Sequence, residues 1–224
     1  MERRCQMEGL KTVLNYTPLI LKGLGYTILV SVEAIIIALI IGTLLSVLRM
    51  GGNSLPSRIV KGVIKVYISF VRDTPVLVQI YIIYQVLAVM GLNLSAYVSG
   101  VIALSLNSGG FIAEIIRGGL TAVPKGQTEA AAALGMSKPK ILTRIVFPQV
   151  FKVVSPQLTS EFINVIKVSP MLSVLAIVEL TRTAQRLITQ TYVTLPFYIA
   201  IAVLYFIVCA ALEEIVKLQK KKGA

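Results

Sequence analysis

Apolar positions along the chain gather into five long runs, roughly 25–48, 66–90, 96–116, 150–174 and 195–212, separated by short polar stretches. A bilayer core of about 30 Å is crossed by about 20 helical residues, so each run predicts a membrane-spanning helix. Pro75, Gly109, Gly110 and Pro170 fall inside these runs and predict kinks or close helix contacts, because neighbouring helices in a bundle satisfy the backbone groups that such residues free. The first 22 residues are polar and mixed in charge, and the apolar run after them is too long for a signal-peptide core, so it is expected to be retained as a span. The longest stretch without a strong apolar run is GQTEAAAALGMSKPKILTRIVFP, Gly126 to Pro148, between the third and fourth runs. The expected fold class is all-α: an integral membrane bundle of five spans in one domain covering residues 1–224.

Composition agrees with this pattern. Of the 224 residues 56% are hydrophobic and only 14% charged, with a mean hydropathy of +0.83, which places the chain among membrane proteins. Histidine is absent, and Cys5 and Cys209 fall in different segments, so neither a zinc site, a Ser-His-Asp triad nor a disulfide framework has support. No G-x-x-x-x-G-K-[ST] phosphate loop occurs, so an ATP-driven process would need a separate ATP-binding subunit.

The net charge of +12 first suggests nucleic acid. Its placement argues otherwise. Fourteen of the 22 Lys and Arg lie in Arg49–Lys65, Arg117–Lys152 and from Lys217 onward, and six lie in the opposite set of connections. Basic residues accumulate in cytoplasmic loops, so the N-terminus is predicted outside, the C-terminus inside, and the 117–149 connection in the cytoplasm. Arg72 and Lys167 are left at membrane depth. An odd number of spans excludes two inverted halves in one chain, and five helices do not readily surround a polar path, so a dimer is expected.

Ionisable groups at membrane depth cost about 2.5–3.5 kcal/mol each on insertion scales and point to function. Asn107, Gly110, Glu114 and Arg117 recur at helical spacing on the third run, and Gln157, Glu161 and Asn164, followed by Lys167 or Val168, recur on the fourth. Two readings stand side by side. Glu114 and Arg117 form an i, i+3 pair, with Glu161 paired to Lys167 or another helix; or Asn107, Glu114, Glu161 and Asn164 line a path. Two carboxylates in such a path would suit a cationic cargo, with the asparagines bonding its amino or carboxylate ends. Arg72 and Asp73, just before Pro75, read as architectural residues of a kinked span. Glu33 reads as an interhelical or interfacial contact, and Glu179 to Arg186 as an external amphipathic segment or a solvated loop.

Within the 117–149 connection, Gln127 to Leu134 has high helix propensity, Gly135 sits where a C-cap ends that helix, Ser137 can cap the next one, and Pro148 limits its end. The alanines make a slim surface suited to a groove of another protein. Glu129-Ala130-Ala131, then Gly135, then Ile145 to Pro148 resembles the signature cytoplasmic loop of permease subunits of bacterial ATP-binding-cassette importers. LNSGGFIAEIIRGGLTAVPKGQTEAA, FVRDTPVLVQIYIIYQ and LSVLAIVELTRTAQ are similar to the subfamily that imports polar amino acids. Thr128, Phe147, Asp73 and the Lys167–Pro170 segment depart from the family pattern.

The resemblance implies a non-catalytic transmembrane subunit that works by alternating access. Its connection would be a coupling helix docked in a cleft of an ATPase subunit, with Glu129 as polar anchor, Ala130 and Ala131 packing closely and Gly135 turning the chain. ATP and magnesium would be bound by that partner, leaving this chain without a cofactor. The other implied partners are a second permease subunit, expected to be a second copy, and an external amino-acid-binding protein, all at the bacterial inner membrane. The alternative is an ATP-independent channel or a proton-coupled secondary transporter, with Glu114 and Glu161 as proton carriers.

Overall fold

The computed structural model describes residues 2–52 and 54–222, with side chains from Gly9 to Leu218 except position 53. The Cys5 side chain lies outside the described residues. Among those described, the regular elements are all helical: α1 (Glu2–Asn15), α2 (Thr17–Arg49), α3 (Leu55–Asp73), α4 (Val76–Val89), α5 (Ala96–Ala122), α6 (Lys125–Ala133), α7 (Lys138–Leu175), α8 (Leu180–Thr191) and α9 (Leu195–Lys222). Helices α2, α5, α7 and α9 are each long and apolar enough to cross a bilayer, and the bent pair α3 and α4 makes a fifth when read as one broken span.

The boundaries differ from the hydropathy reading for local reasons. Helix α2 starts at Thr17 and runs for 33 residues, about 50 Å at 1.5 Å per residue, so its apolar run is only its middle. The second span starts at Leu55 and breaks at Thr74-Pro75. A proline disfavours the helical conformation of the residue before it, and Thr74 is extended (φ −114°, ψ 145°), its N–H donating to the Phe70 carbonyl. Helix α7 passes straight through Pro148, which was expected to end a helix. A π turn at Leu142–Val146 directly precedes this proline, so the i→i+4 ladder is already loosened where Pro148 lacks a donor. Pro170 lies in the 3₁₀ turn Ser169–Leu175 that finishes α7.

The chain forms two compact units, each assembled from separate stretches of sequence: 1–35, 77–104 and 162–224 in the first, 36–76 and 105–161 in the second. In the first unit Ile20 of α2, Leu180, Ala184 and Leu187 of α8, and Phe197 and Ile201 of α9 form a buried apolar core. Thr27 accepts the N–H of Leu180, and Tyr97 donates to Glu33 at 2.8 Å, so Glu33 is an interhelical contact.

In the second unit α5 is the hub. The apolar window of α5 is 72% buried, against 11% for α9, which leaves most of α9 to lipid or partners. Small residues let three helices approach it. A Cβ on Gly109 would lie 2.9 Å from Ile41 of α2, one on Gly110 2.9 Å from Val71 of α3, and one on Gly119 2.4 Å from Val154 of α7. Gly109 and Gly110 therefore mark close contacts within an unbroken helix, not kinks. Across the α2 seam a Cβ on Gly42 would meet Ile112 at 2.5 Å, and one turn on the Ser46 hydroxyl lies 2.8 Å from both the Gly42 and Ala113 carbonyls. Small residues four apart are how membrane helices reach such proximity.

Gly42→Ala is expected to lower stability by about 1–3 kcal/mol through overpacking. Gly62→Ala, in α3 with nothing within 4 Å of its added Cβ, is expected to be neutral or to stabilise by about 0.5–1 kcal/mol. Thermal unfolding of the two variants in detergent checks both.

Candidate coupling and translocation site

The connection between α5 and α7 holds a compact exposed helix. Helix α6 follows Pro124, which is extended, and ends where Gly135 takes a left-handed φ of +77°. There the N–H of Gly135 donates to Ala132 and that of Met136 to Ala131, closing the helix in a Schellman-type turn that only glycine adopts without strain. Gly135 thus fills the role expected of it. Glu129 and Ala130 are exposed, and Leu134 is 83% exposed. Ala131 instead points inward and is buried, so this alanine packs within the chain. Ser137 occupies the cap position before Pro139, but its hydroxyl makes no cap hydrogen bond. A cavity of about 630 Å³ separates α6 from the end of α2, lined by Val47, Met50, Glu129, Ala132, Ile141 and Val146 among others.

The polar stripe of α5 splits into two sites. Asn107 is buried, and beside it Ser108 donates to Glu161 of α7 at 2.8 Å; Glu161 is 8% exposed. Glu114 lies seven residues further on, about 10 Å along the helix axis. There it is held by two guanidinium groups, Arg117 at 2.8 Å on its own helix and Arg49 of α2. The first sequence reading of this stripe has its counterparts: the i, i+3 pair exists, and Glu161 bonds to another helix through Ser108. Asn164 and Lys167 belong to the first unit and are exposed.

Arg49 and Ser108 are the residues sequence reasoning missed. The sequence signal for Arg49 was its spacing, three residues after Ser46 and seven after Gly42, which continues the small-residue seam of α2 onto Glu114. Ser108 had no signal, because its partner is 53 positions away. Among the described residues no group of three His, Cys, Asp or Glu comes together as a metal site.

Glu179 begins the segment read as an external amphipathic stretch or a solvated loop, and its side chain is fully buried. It caps α8: its carboxylate accepts from the N–H groups of Thr181 (2.8 Å) and Arg182 (2.6 Å) and from the Tyr205 hydroxyl (3.0 Å). The amphipathic expectation holds for α8, which buries Leu180, Thr183, Ala184 and Leu187 and leaves Arg186 and Gln190 exposed. A cavity of about 670 Å³ in the same unit is lined by Lys22, Tyr26, Tyr97, Arg186 and Gln190 with apolar neighbours.

A family model described as the inner membrane component of binding-protein-dependent transport systems matches residues 34–222. The chain belongs to that family. This permease is similar to a permease protein from Rickettsia felis named for a glutamine transport system, at 38% identity over 91% of this chain and 92% of the relative. It is similar to the L-cystine transport system permease protein of Bacillus subtilis, at 36% over 89% and 84%. The arginine transport system permease protein of the same bacterium is 34% identical over 92% of each chain. Its fold matches a crystal structure of an amino acid ABC transporter with histidines, at a TM-score of 0.85 and 35% identity, covering 95% of this chain and 98% of that one. The resemblance read from the motifs is therefore borne out: the permease is a multi-pass inner-membrane subunit of the amino-acid importer class.

Burial pushes the Glu179 carboxyl above its ordinary value of 4.5, opposed by the amides of Thr181 and Arg182 and by the Tyr205 hydroxyl. The folded permease then binds this proton more tightly than the unfolded chain does. The stability tied to Glu179 is full below pH 4.5 and is lost as pH rises through the raised value. Glu179→Gln is expected to flatten that loss, measured by melting temperatures across pH 4 to about 8.

Proposed function

We propose that this permease translocates a polar amino acid, with a basic side chain preferred, by alternating access driven by a separate ATPase subunit. The exposed helix α6 carries the proposal. It is short, ends in a fixed glycine turn, and presents Glu129, Ala130 and Leu134 outward, a surface suited to the groove of a partner. In this reading Glu129 anchors α6 in the ATPase, and Ala131 ties α6 to its own chain, so that motion of the partner is passed to α5 and α7. ATP and its magnesium belong to that partner. The excess of basic residues in the connections containing α6 supports a cytoplasmic α6 and C-terminus with the N-terminus outside. The thinly covered α9 and the odd span count support pairing with a second copy. Helix α8, with Arg186 and Gln190 on its open face, faces an external amino-acid-binding protein.

Glu161 is the proposed cargo carboxylate, with Asn107 of the same unit as a hydrogen-bonding group. The buried carboxylate of Glu161, which accepts from the Ser108 hydroxyl, has the charge suited to a cationic side chain. Glu114 joins this set only in a state in which Arg49 and Arg117 release it. The solved amino-acid transporter with histidines favours a basic cargo, and the glutamine and cystine relatives set the competing choices.

Glu129→Trp is expected to reduce amino-acid uptake about 5- to 150-fold, the usual span of a coupling free energy, while the partner continues to hydrolyse ATP. Unchanged uptake would contradict the coupling role. Glu161→Gln is expected to cut arginine uptake about tenfold or more, since charge-assisted bonds are the stronger ones, and to leave glutamine uptake nearly unchanged. Competition of labelled arginine by lysine, histidine, glutamine and cystine measures the preference, and indifference to the basic competitors rejects it.

A further inference from the structure

Helix α3 carries three distinct stripes. Ile64, Ile68 and Val71 are buried, the first two packing with Ala113 of α5 and Leu45 of α2. Leu55, Ile59, Val63, Val66 and Phe70, spaced by four, four, three and four residues, form an apolar stripe whose members are 48–72% exposed. Lys61, Lys65 and Arg72 form a third stripe beside the buried one, at about 100° per residue. This basic stripe lines two cavities. One, of about 460 Å³, contains Arg49, Lys61, Lys65 and Arg117; the other, of about 230 Å³, contains Arg49, Lys65, Arg72, Asp73 and Glu114. Arg49 and Lys65 line both, so the two are neighbours.

The charge in this place is not balanced. Five cations face two carboxylates, and Glu114 is already committed to Arg49 and Arg117. Among the described residues Lys61, Lys65 and Arg72 form no ion pair. Among the described residues Lys61 donates only to the Gly52 carbonyl, at 3.2 Å. Gathered cations repel unless an anion sits between them.

We propose that this groove binds the phosphate headgroup of an anionic phospholipid, with its acyl chains laid on the exposed stripe of α3. A phosphate accepts several charge-assisted hydrogen bonds from lysine and arginine, and basic pockets between membrane helices are suited to anionic headgroups. The apolar stripe separates the lipid from a free phosphate, because only the lipid uses both surfaces. Gly62 and Ser69 lie on the arc of α3 between the basic and apolar stripes, and a Cβ on Gly62 would meet nothing within 4 Å. At the level of Gly62 and Ser69 no bulky side chain therefore divides the headgroup cavity from the path of the chains; Arg58, on the same arc one turn earlier, adds a further cation. Occupancy joins α3 to Arg49 and Arg117, the residues that hold Glu114.

The test is retention of phosphatidylglycerol against phosphatidylcholine by the full-length permease, read by native mass spectrometry after purification in detergent. The permease is expected to keep phosphatidylglycerol selectively, and the double variant Lys61→Gln/Lys65→Gln to weaken that retention about 30-fold, as the loss of two surface cations implies. The double variant Arg182→Gln/Arg186→Gln, which removes equal charge elsewhere, is expected to retain it. Gly62→Leu, which keeps every charge, is expected to lose the lipid while binding inorganic phosphate as before. Equal retention of phosphatidylglycerol by Lys61→Gln/Lys65→Gln, or by Gly62→Leu, overturns the proposal. Complete displacement of the lipid by inorganic phosphate assigns the site to a free anion and also overturns it. Melting in phosphatidylcholine nanodiscs identifies a variant that has failed to fold, in which case the other variant decides.

Discussion

The close approach of α2 to α5 is the contact on which the second unit depends. Gly42 admits Ile112, Ser46 shares its hydroxyl between the Gly42 and Ala113 carbonyls, and Arg49 meets Glu114, all on one face of α2. Apolar burial drives little association between helices already in lipid, so the seam rests on close packing and on polar groups that need partners. The two depend on each other. The close approach at Gly42 brings the Ser46 hydroxyl within reach of the Ala113 carbonyl, and Arg49 meets Glu114 one turn further along the same face.

From that seam the polar chemistry divides by depth along α5. Near Asn107 the helix offers a buried hydroxyl and carboxylate pair, Ser108 and Glu161. Near Glu114 it offers an ion cluster that is compensated by two arginines and overfilled by the basic stripe of α3. The residues proposed for the cargo near Asn107 and the cation-rich groove near Glu114 therefore lie at different levels of one helix, with Glu114 the residue common to both. Helix α6 then follows α5 after only two residues, Val123 and Pro124, so a displacement of α6 has a short lever on this arrangement.

Much of this was legible in the residues, and the exceptions have physical causes. The five spans, the exposed helix at 125–133 and the glycine turn at Gly135 follow from hydropathy, propensity and the left-handed preference of glycine, all local properties. The motif spacing supported the family for the same reason, since it is written in one continuous stretch. The break at Thr74-Pro75 was foreseen only as a kink, because a proline reports that a helix is disturbed and not how the chain continues. Passage of α7 through Pro148 depended on a π turn that propensity does not encode. The inward turn of Glu179 onto Tyr205 and the pairing of Ser108 with Glu161 join residues 26 and 53 positions apart, where a single sequence carries no record of proximity. Ala131 shows the remaining ambiguity: an alanine run predicts a slim surface, but not which member faces the chain's own interior.

The central claim is that transport by this permease is coupled to a separate ATPase. The most direct measurement is uptake of labelled arginine into vesicles containing the permease with the proposed ATPase subunit and binding protein, with ATP compared with a non-hydrolysable analogue. Accumulation above the external concentration with ATP, and none with the analogue, is the predicted result. Equal accumulation under both conditions, or accumulation that follows an imposed proton gradient, would contradict it.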